Sequence, residues 1–581
     1  MLKRVAIFFA VLASLSFSCR KTDPVVESPS GESPSPGEYV LPLVETTDMH
    51  GYIVHADNLG LHYRLAYIAD KVEDIRARKE DGLLLLDGGD LYQGASVSNL
   101  MSGWPVYVSM HKMGYDAVAV GNHEFDWGIE SLVDADATLP DYEWEGRSFV
   151  NEVPVVCANL YRDGVRVPFT RDYVIVEKSA LNAAGETVPV RIGIIGFVVD
   201  YAGSIMSTQF TGKGYSINAD FSIAGALAEE LESSGQCDAT LLLIHGAAGD
   251  AAGYLGPRSC IDLVLGGHSH AHMCGKTGWG LPYLQGGRYC ENYGYAELKF
   301  QVDDTGKVSF KGVDNLMTPP VDASLDGRRE AGGHQDDLSA EIVAVSDYAL
   351  DYTAQAQNDV IGHIRVGATN YYLDGSDGRA SVMSNWMCDI LRRIGEADVA
   401  FVNGGGIRTS FPLGGRSARD ITVANVYEMF PFSNTTYVYR LTYAELLQVF
   451  EYAMTSGGAS LFSCMTGLDC RFSQTEHGTY KTYEVYSLSK DGTVIYRNGK
   501  WTGDWALKTV TLSVSEFLAT NERTDYYTGI ANPLVGWNKT SRLLRSDLVD
   551  NENAVRVLRA EAASSGGLLS IDTAPHFILV P

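Results

Sequence analysis

Short apolar runs, each closed by a glycine-rich or polar loop, recur along the first half of the chain. They read YVLPLVETTD from Tyr39, then LLLLDGGD, AVAVGNHE, VVCANL, RIGIIGFV, TLLLIHG and DLVLGGHSH. Runs this short and rich in β-branched residues and leucine predict strands buried on both faces. The stretch LAYIADKVEDIRARK between them repeats its apolar positions at helical spacing. Strands alternating with helices predict an α/β layered domain, whose ligands gather beyond the carboxyl ends of the strands. Around 325–338 the pattern dissolves into the polar LDGRREAGGHQDDL, followed by a helical segment, SAEIVAVSDYALDYTAQAQ. These shifts divide the chain into a first domain at 39–335, a connecting helix within 336–360 and a second α/β domain at 361–581. The second domain includes VAFVNGGGIR and the amphipathic TYAELLQVFEYAM. No internal repeat relates the halves.

A length of 581 residues exceeds one ordinary hydrophobic core, which agrees with two large domains. Apolar residues at 45% and charged residues at 20% exclude a disordered chain. A net charge of -27 argues against binding a nucleic-acid duplex, which is held chiefly through Lys and Arg. An anionic substrate would then need a local positive site made of metal ions or a few arginines. At the amino end, Lys3 and Arg4 precede AIFFAVLASLSF, too short to span a bilayer and typical of an export signal. Cys19 after Ser18 is similar to the lipidated cysteine of bacterial lipoproteins, so the expectation is a signal peptide at 1–19 and a periplasmic or surface lipoprotein, with an ordinary secreted protein as the alternative. Residues 20–38, rich in Pro, Ser and Gly, read as a flexible tether. Of the later cysteines, Cys464 and Cys470 suggest the arms of a hairpin, and Cys260, Cys274 and Cys290 lie close in sequence. None forms a CxxC pair, which speaks against a zinc–thiolate site.

The chemistry concentrates in five motifs of the first half. TTDMHG supplies Asp48 and His50, two apart at a strand end, where alternation would aim both at one ion. DGGDLYQG supplies Asp90, GNHEFDWG supplies Asn122, His123 and Asp126, LLLIHG supplies His245, and GGHSH supplies His268 and His270. Each alone is weak, since a lone Asp after a strand is usually a cap and a lone buried His a satisfied core residue. His55, His62 and His111 are read in that ordinary way, and Asp87 and Glu124 as residues behind the ligands or in turns. Five strand ends bearing oxygen or imidazole donors in one domain are another matter. Mixed N/O ligation without thiolate suits zinc, manganese or iron. One carboxylate bridging two such ions is the arrangement that activates water for displacement at phosphorus.

In this order the motifs resemble the calcineurin-like metallophosphoesterases, and in particular the 5′-nucleotidase family, which includes UDP-sugar hydrolases and 2′,3′-cyclic-nucleotide phosphodiesterases. The resemblance implies one divalent ion on Asp48, His50, Asp90 and His270, and a second on Asp90, Asn122, His245 and His268. It implies that His123 faces the phosphoryl group and is positioned by Asp126. In the second half it implies a substrate domain, with Asn403 and Arg408 of NGGGIR and Arg379 of DGRASVMSNWMCDIL contacting substrate. Phe462 stands where a first base-stacking ring belongs. The family's GGDGY-like motif is absent, and EFLATNERTDYYTGI offers Asp525, Tyr526 or Tyr527 in its place. PFSN at 431–434 is similar to a family segment and is read as structural. The implied activity is hydrolysis of 5′-nucleotides or 2′,3′-cyclic nucleotides to nucleosides and phosphate, with TTD leaning toward the cyclic-nucleotide branch. The alternatives are a hydrolase of UDP-sugars or other phosphate or sulfur esters, and a catalytically silent surface binding protein.

Overall fold

A computed structural model of the chain describes residues 34–580, apart from 58–59, 127–128, 130–142, 145–146, 149–152, 200–209, 211–212, 258, 322–337, 366–381, 410–418, 454–463, 478–479, 522–523, 525–528, 573 and 575. Residues 37–317 build a 12-stranded mixed sheet. Gly37–Thr46, Leu84–Asp87 and Ala117–Ala119 run parallel in one wing, and Thr187–Val198, Ala239–His245 and Leu263–Leu265 run parallel in the other. The wings share a core in which Leu43, Leu84 and Leu86 join Ile192, Ile194, Leu241 and Leu243. The alternate residues Val44, Leu85, Ile195, Leu242 and Ile244 belong to a second core beneath the helices. Burial on both faces is why these strands read as continuous apolar runs. The candidate metal motifs follow the carboxyl ends of strands from both wings.

In the second half, a five-stranded sheet orders Cys464–Thr466, Val399–Val402, Thr509–Ser515, Thr435–Thr442 and Leu543–Val549 side by side. Helix Val382–Ile394 buries Trp386, Met387, Ile390 and Leu391 in a core shared with Ala400 and Val402 of this sheet. A second five-stranded sheet contains Asp469–His477. Cys464 and Cys470 therefore lie on strands of different sheets, turned apart at Gly467 (φ +86°), and not on the two arms of one hairpin. Cys157, Cys237, Cys260, Cys274, Cys290 and Cys470 are free thiols.

Helix Ala340–Asn358 touches both halves. Its start is fixed where Ser339 N donates to the Ala66 carbonyl at 3.0 Å, and Tyr348 packs 5.1 Å from the Trp104 ring. Near its end, Gln357 Nε2 donates to Ser96 Oγ at 3.0 Å, and Ser96 Oγ donates to Glu428 Oε1 of helix Val423–Met429 at 2.9 Å. Three segments far apart in sequence thus meet at one buried serine, close behind the loop that carries Asp90. Among the described residues, no helix is long and apolar enough to cross a membrane.

Candidate metal centre

The first strand ends at Thr46, so Asp48 and His50 do not converge by strand alternation, as the sequence suggested. Both adopt left-handed backbone conformations (φ 49° and 47°) in a turn stitched to the second motif. Asp48 N donates to the Gly89 carbonyl at 2.9 Å, His50 N to the Asp90 carbonyl at 3.0 Å, and Gly51 N to the Leu91 carbonyl at 2.8 Å. Asp90, His268 and His270 are also left-handed, at 59°, 68° and 58°. Five of the seven candidate ligands thus occupy a region that non-glycine residues rarely visit, and such strain concentrates at functional sites. Glu124 holds the Asp90 loop from behind. Its carboxylate accepts from Asp90 N at 3.0 Å, Leu91 N at 2.8 Å and Gly121 N at 2.6 Å. A Cβ on Gly121 would lie 2.3 Å from Asp90 Oδ1, so the third motif needs glycine there for the close approach. Asp87, also buried, accepts from Thr46 Oγ1 at 2.6 Å and Gly89 N at 2.7 Å.

The side chains meet in three overlapping groups, Asp48 with His50 and His270, His50 with Asp90 and His123, and Asp90 with His245 and His268, the ligand-type atoms of each lying within 4.8 Å of one another. Asp90 belongs to two of them, and His123 is near enough to be a ligand by distance alone. Asp90 Oδ2 lies 3.7 Å from His50 Nε2 and 3.2 Å from His245 Nε2, which places one carboxylate oxygen between the groups. Asn122 Oδ1 lies 2.9 Å from His268 Nδ1 and 3.2 Å from His245 Nε2. The donor chemistry fits divalent cations. His50 Nδ1 donates to the Gln93 carbonyl at 2.7 Å and His245 Nδ1 to the Gly88 carbonyl at 2.7 Å, so that each ring, once neutral, would aim an Nε2 lone pair inward. His50 Nε2 then faces His270 Nε2 at 3.1 Å. Burial pushes His50 and His270 well below the ordinary imidazole range and His268 down to about 3, which favours the ligating form. Burial would lower His245 too, but Asp90, Asp48 and Glu124 carry it up to about 10. Burial raises Asp48 to about 7. Buried acceptors converging in this way repel one another unless cations or protons lie between them, and the N/O donor set suits zinc, manganese or iron.

His123 is turned differently. Its Nδ1 donates to Asp126 Oδ2 at 2.7 Å, and its Nε2 accepts from Arg408 Nη2 at 2.5 Å. The arginine of NGGGIR thus crosses from the second half to the imidazole of the first. Asn403 opens the same turn, its carbonyl accepting from Gly406 N at 2.9 Å. Phe432 of PFSN, read from sequence as structural, stacks on His123 with centroids 5.4 Å apart and lies 5.6 Å beneath the Arg408 guanidinium. That role has no signature in a four-residue turn. Arg379, Phe462, Asp525, Tyr526 and Tyr527 lie outside the described residues. His55 and His62 pair across a short hairpin, half-buried, with their rings 6.2 Å apart and His55 5.6 Å from the Tyr52 ring. His111 is exposed on helix Trp104–Met113 and is not a core residue, because its position faces away from the packed side.

Residues 360–501 match the family "5′-nucleotidase, C-terminal domain". The trifunctional nucleotide phosphoesterase YfkN of Bacillus subtilis is 24% identical over 79% of this chain, which spans 31% of that longer protein. The 5′-nucleotidase of Rattus norvegicus is 26% identical over 74% of each chain. Among solved structures, the 5′-nucleotidase precursor of Thermus thermophilus superposes with a TM-score of 0.67 at 20% identity, over 93% of this chain and 99% of that one. Residues 360–501 thus match a 5′-nucleotidase C-terminal domain, and the chain is similar to 5′-nucleotidases over most of its length.

Proposed function

We propose that this metal-dependent phosphoesterase hydrolyses 5′-nucleotides or 2′,3′-cyclic nucleotides, with the phosphate at the metal centre and the nucleoside toward the second half. The observation that carries the reading is the meeting of Arg408 with His123, a single site assembled from both halves. Asp48, His50, Asp90 and His270 would hold one divalent ion, and Asp90, Asn122, His245 and His268 the other. Bound there, the pair supplies Lewis-acid polarisation at phosphorus and an activated water. The protein's own groups do the rest. Arg408 can grip a phosphoryl oxygen pair with its planar fork. Asp126 fixes the His123 ring through its Nδ1–H, while burial, opposed by Asp90 and helped by the Arg408 charge, holds the imidazole down to about 3. Nε2 would therefore take up a proton and donate to the phosphoryl or leaving oxygen only once the substrate's negative charge lies beside it. Phe432 offers an aromatic face at the seam where a sugar or base would enter. The export signal and Cys19 lie outside the described residues; on this reading the enzyme is exported and held to a membrane by a lipid on Cys19.

Phosphate release from AMP, 2′,3′-cyclic AMP, UDP-glucose and p-nitrophenyl phosphate, with Mn²⁺ or Zn²⁺, tests the proposal. Hydrolysis of AMP or the cyclic nucleotide is expected. Activity confined to UDP-glucose or p-nitrophenyl phosphate would favour another ester, and none at all a binding protein. Arg408→Ala should lower kcat/KM on nucleotides about 10–100-fold, the worth of a charge-assisted contact.

A further inference from the structure

The imidazoles of the centre are not all tethered alike. His50 and His245 each give Nδ1 to a backbone carbonyl, and His268 Nδ1 faces Asn122. The His270 ring instead rests against two other rings, His50 at 5.1 Å and Tyr289 at 5.5 Å. Tyr289 also meets His50, at 5.6 Å and 69° between planes, and lies on Tyr52 at 4.4 Å. One tyrosine therefore braces both imidazoles of the group formed with Asp48, with Tyr52, 9% exposed, as its backstop.

The loop that presents this ring is built for the purpose. Tyr289 and Cys290 are consecutive left-handed residues (φ 54° and 52°). Neither is glycine, so the conformation persists only because its surroundings impose it. Tyr289 N donates to the Asp48 carbonyl at 2.8 Å, and its own carbonyl accepts from Arg64 Nη1 at 3.1 Å. Arg64 also pairs with Glu291 at 3.6 Å, Cys290 is buried, and the Arg288 guanidinium covers the outer face of the ring at 4.9 Å. The backbone bond to Asp48 locks the brace to the same turn that delivers Asp48 and His50.

We propose that Tyr289 is the positioning residue of the first metal subsite, its ring setting the planes of His50 and His270 so that both Nε2 atoms face one ion. This rests on reading the centre as a two-metal site. Tyr289 acts on these imidazoles through the contacts of its ring, which a phenylalanine would keep. Partners that orient metal-ligating histidines are worth about 10–100-fold in affinity.

The test is Mn²⁺ binding to the metal-free full chain, with free ion followed by electron paramagnetic resonance, for the parent, Tyr289→Phe and Tyr289→Leu. The parent and the Phe variant should bind two ions with the same two constants. The Leu variant should bind one ion about 10–100-fold more weakly and keep the other within about threefold, with an unchanged melting temperature for the metal-free chain. Parent-like binding of both ions by the Leu variant would overturn the proposal, as would equal weakening of both sites. If the Leu variant fails to fold, a Phe variant that loses one ion overturns it, and one that keeps both supports it. Fewer than two ions in the parent would instead sink the two-metal reading itself.

Discussion

Glu124→Ala should be among the most damaging single substitutions in the first half, although Glu124 is neither a candidate ligand nor a group that meets substrate. Its fully buried carboxylate is the acceptor for three backbone N–H groups, of Asp90, Leu91 and Gly121. Truncation leaves three buried donors without an acceptor, at about 1–3 kcal/mol each. They share one loop pair and will relax together, so a non-additive total of about 4 kcal/mol is the reasonable expectation. At about 2–4 °C per kcal/mol for a domain of this size, the melting transition of the first half should fall by roughly 10 °C. Glu124→Gln keeps one acceptor oxygen but turns an NH₂ toward a backbone donor, and should fall between parent and Ala. The assay is thermal unfolding followed by circular dichroism on the metal-free chain, repeated with Mn²⁺. Metal should recover less stability in the variant, because the loop that presents Asp90 is no longer held. A fall of less than about 2 °C for the Ala variant would refute the reasoning, since it would mean that these donors find other partners or water at little cost.

Asp90→Asn removes the charge shared by both ligand groups, so both ions should weaken together and activity fall at least about a hundredfold; two ions still bound by elemental analysis with full activity would count against the bridge. His123→Ala should keep about two ions per chain while turnover drops by about 10²–10⁴, and loss of metal would show that His123 is a ligand. His576 donates to Asp469 at 2.7 Å and Asp572 at 2.6 Å, and although burial alone would lower it, these carboxylates raise it above the ordinary range. A raised imidazole stabilises fully below its unfolded pKa of about 6.5 and loses that contribution as pH climbs through the folded value. The stability gap between parent and His576→Gln should therefore be larger at pH 6 than at pH 9, though no more than about 1 kcal/mol given the half-exposed carboxylates; a gap that grows with pH would show the sign to be wrong.

What could be read from sequence, and what could not, separates along a physical line. The strands of the first half were legible because burial on both faces leaves an unbroken apolar signature, as in Leu83–Leu86 and Leu241–Ile244. The metal-type side chains were legible because Asp, Asn and His at successive strand ends are a chemical statement that does not depend on the exact path of the loop. The path itself was not legible. Asp48 and His50 look like alternate strand residues, yet they converge through two left-handed turns imposed by the carbonyls of Gly89 and Asp90, some forty residues downstream. A left-handed glycine announces itself; a left-handed Asp or His does not, because only a long-range partner makes that conformation affordable. The same limit hid Tyr289, whose place beside His50 and His270 depends on Arg64 and the Asp48 carbonyl, and Phe432, whose stacking on His123 requires the two halves to meet. It also made Cys464 and Cys470 look like hairpin neighbours, when Gly467 sends the chain from one sheet into another. Residues that hold chemistry were visible by type, and Glu124 by its place inside a motif, whereas residues that lie outside the motifs and aim the chemistry, such as Tyr289, have types that occur everywhere. Variants of the second kind therefore test the three-dimensional arrangement, which variants of the motif residues alone leave untouched.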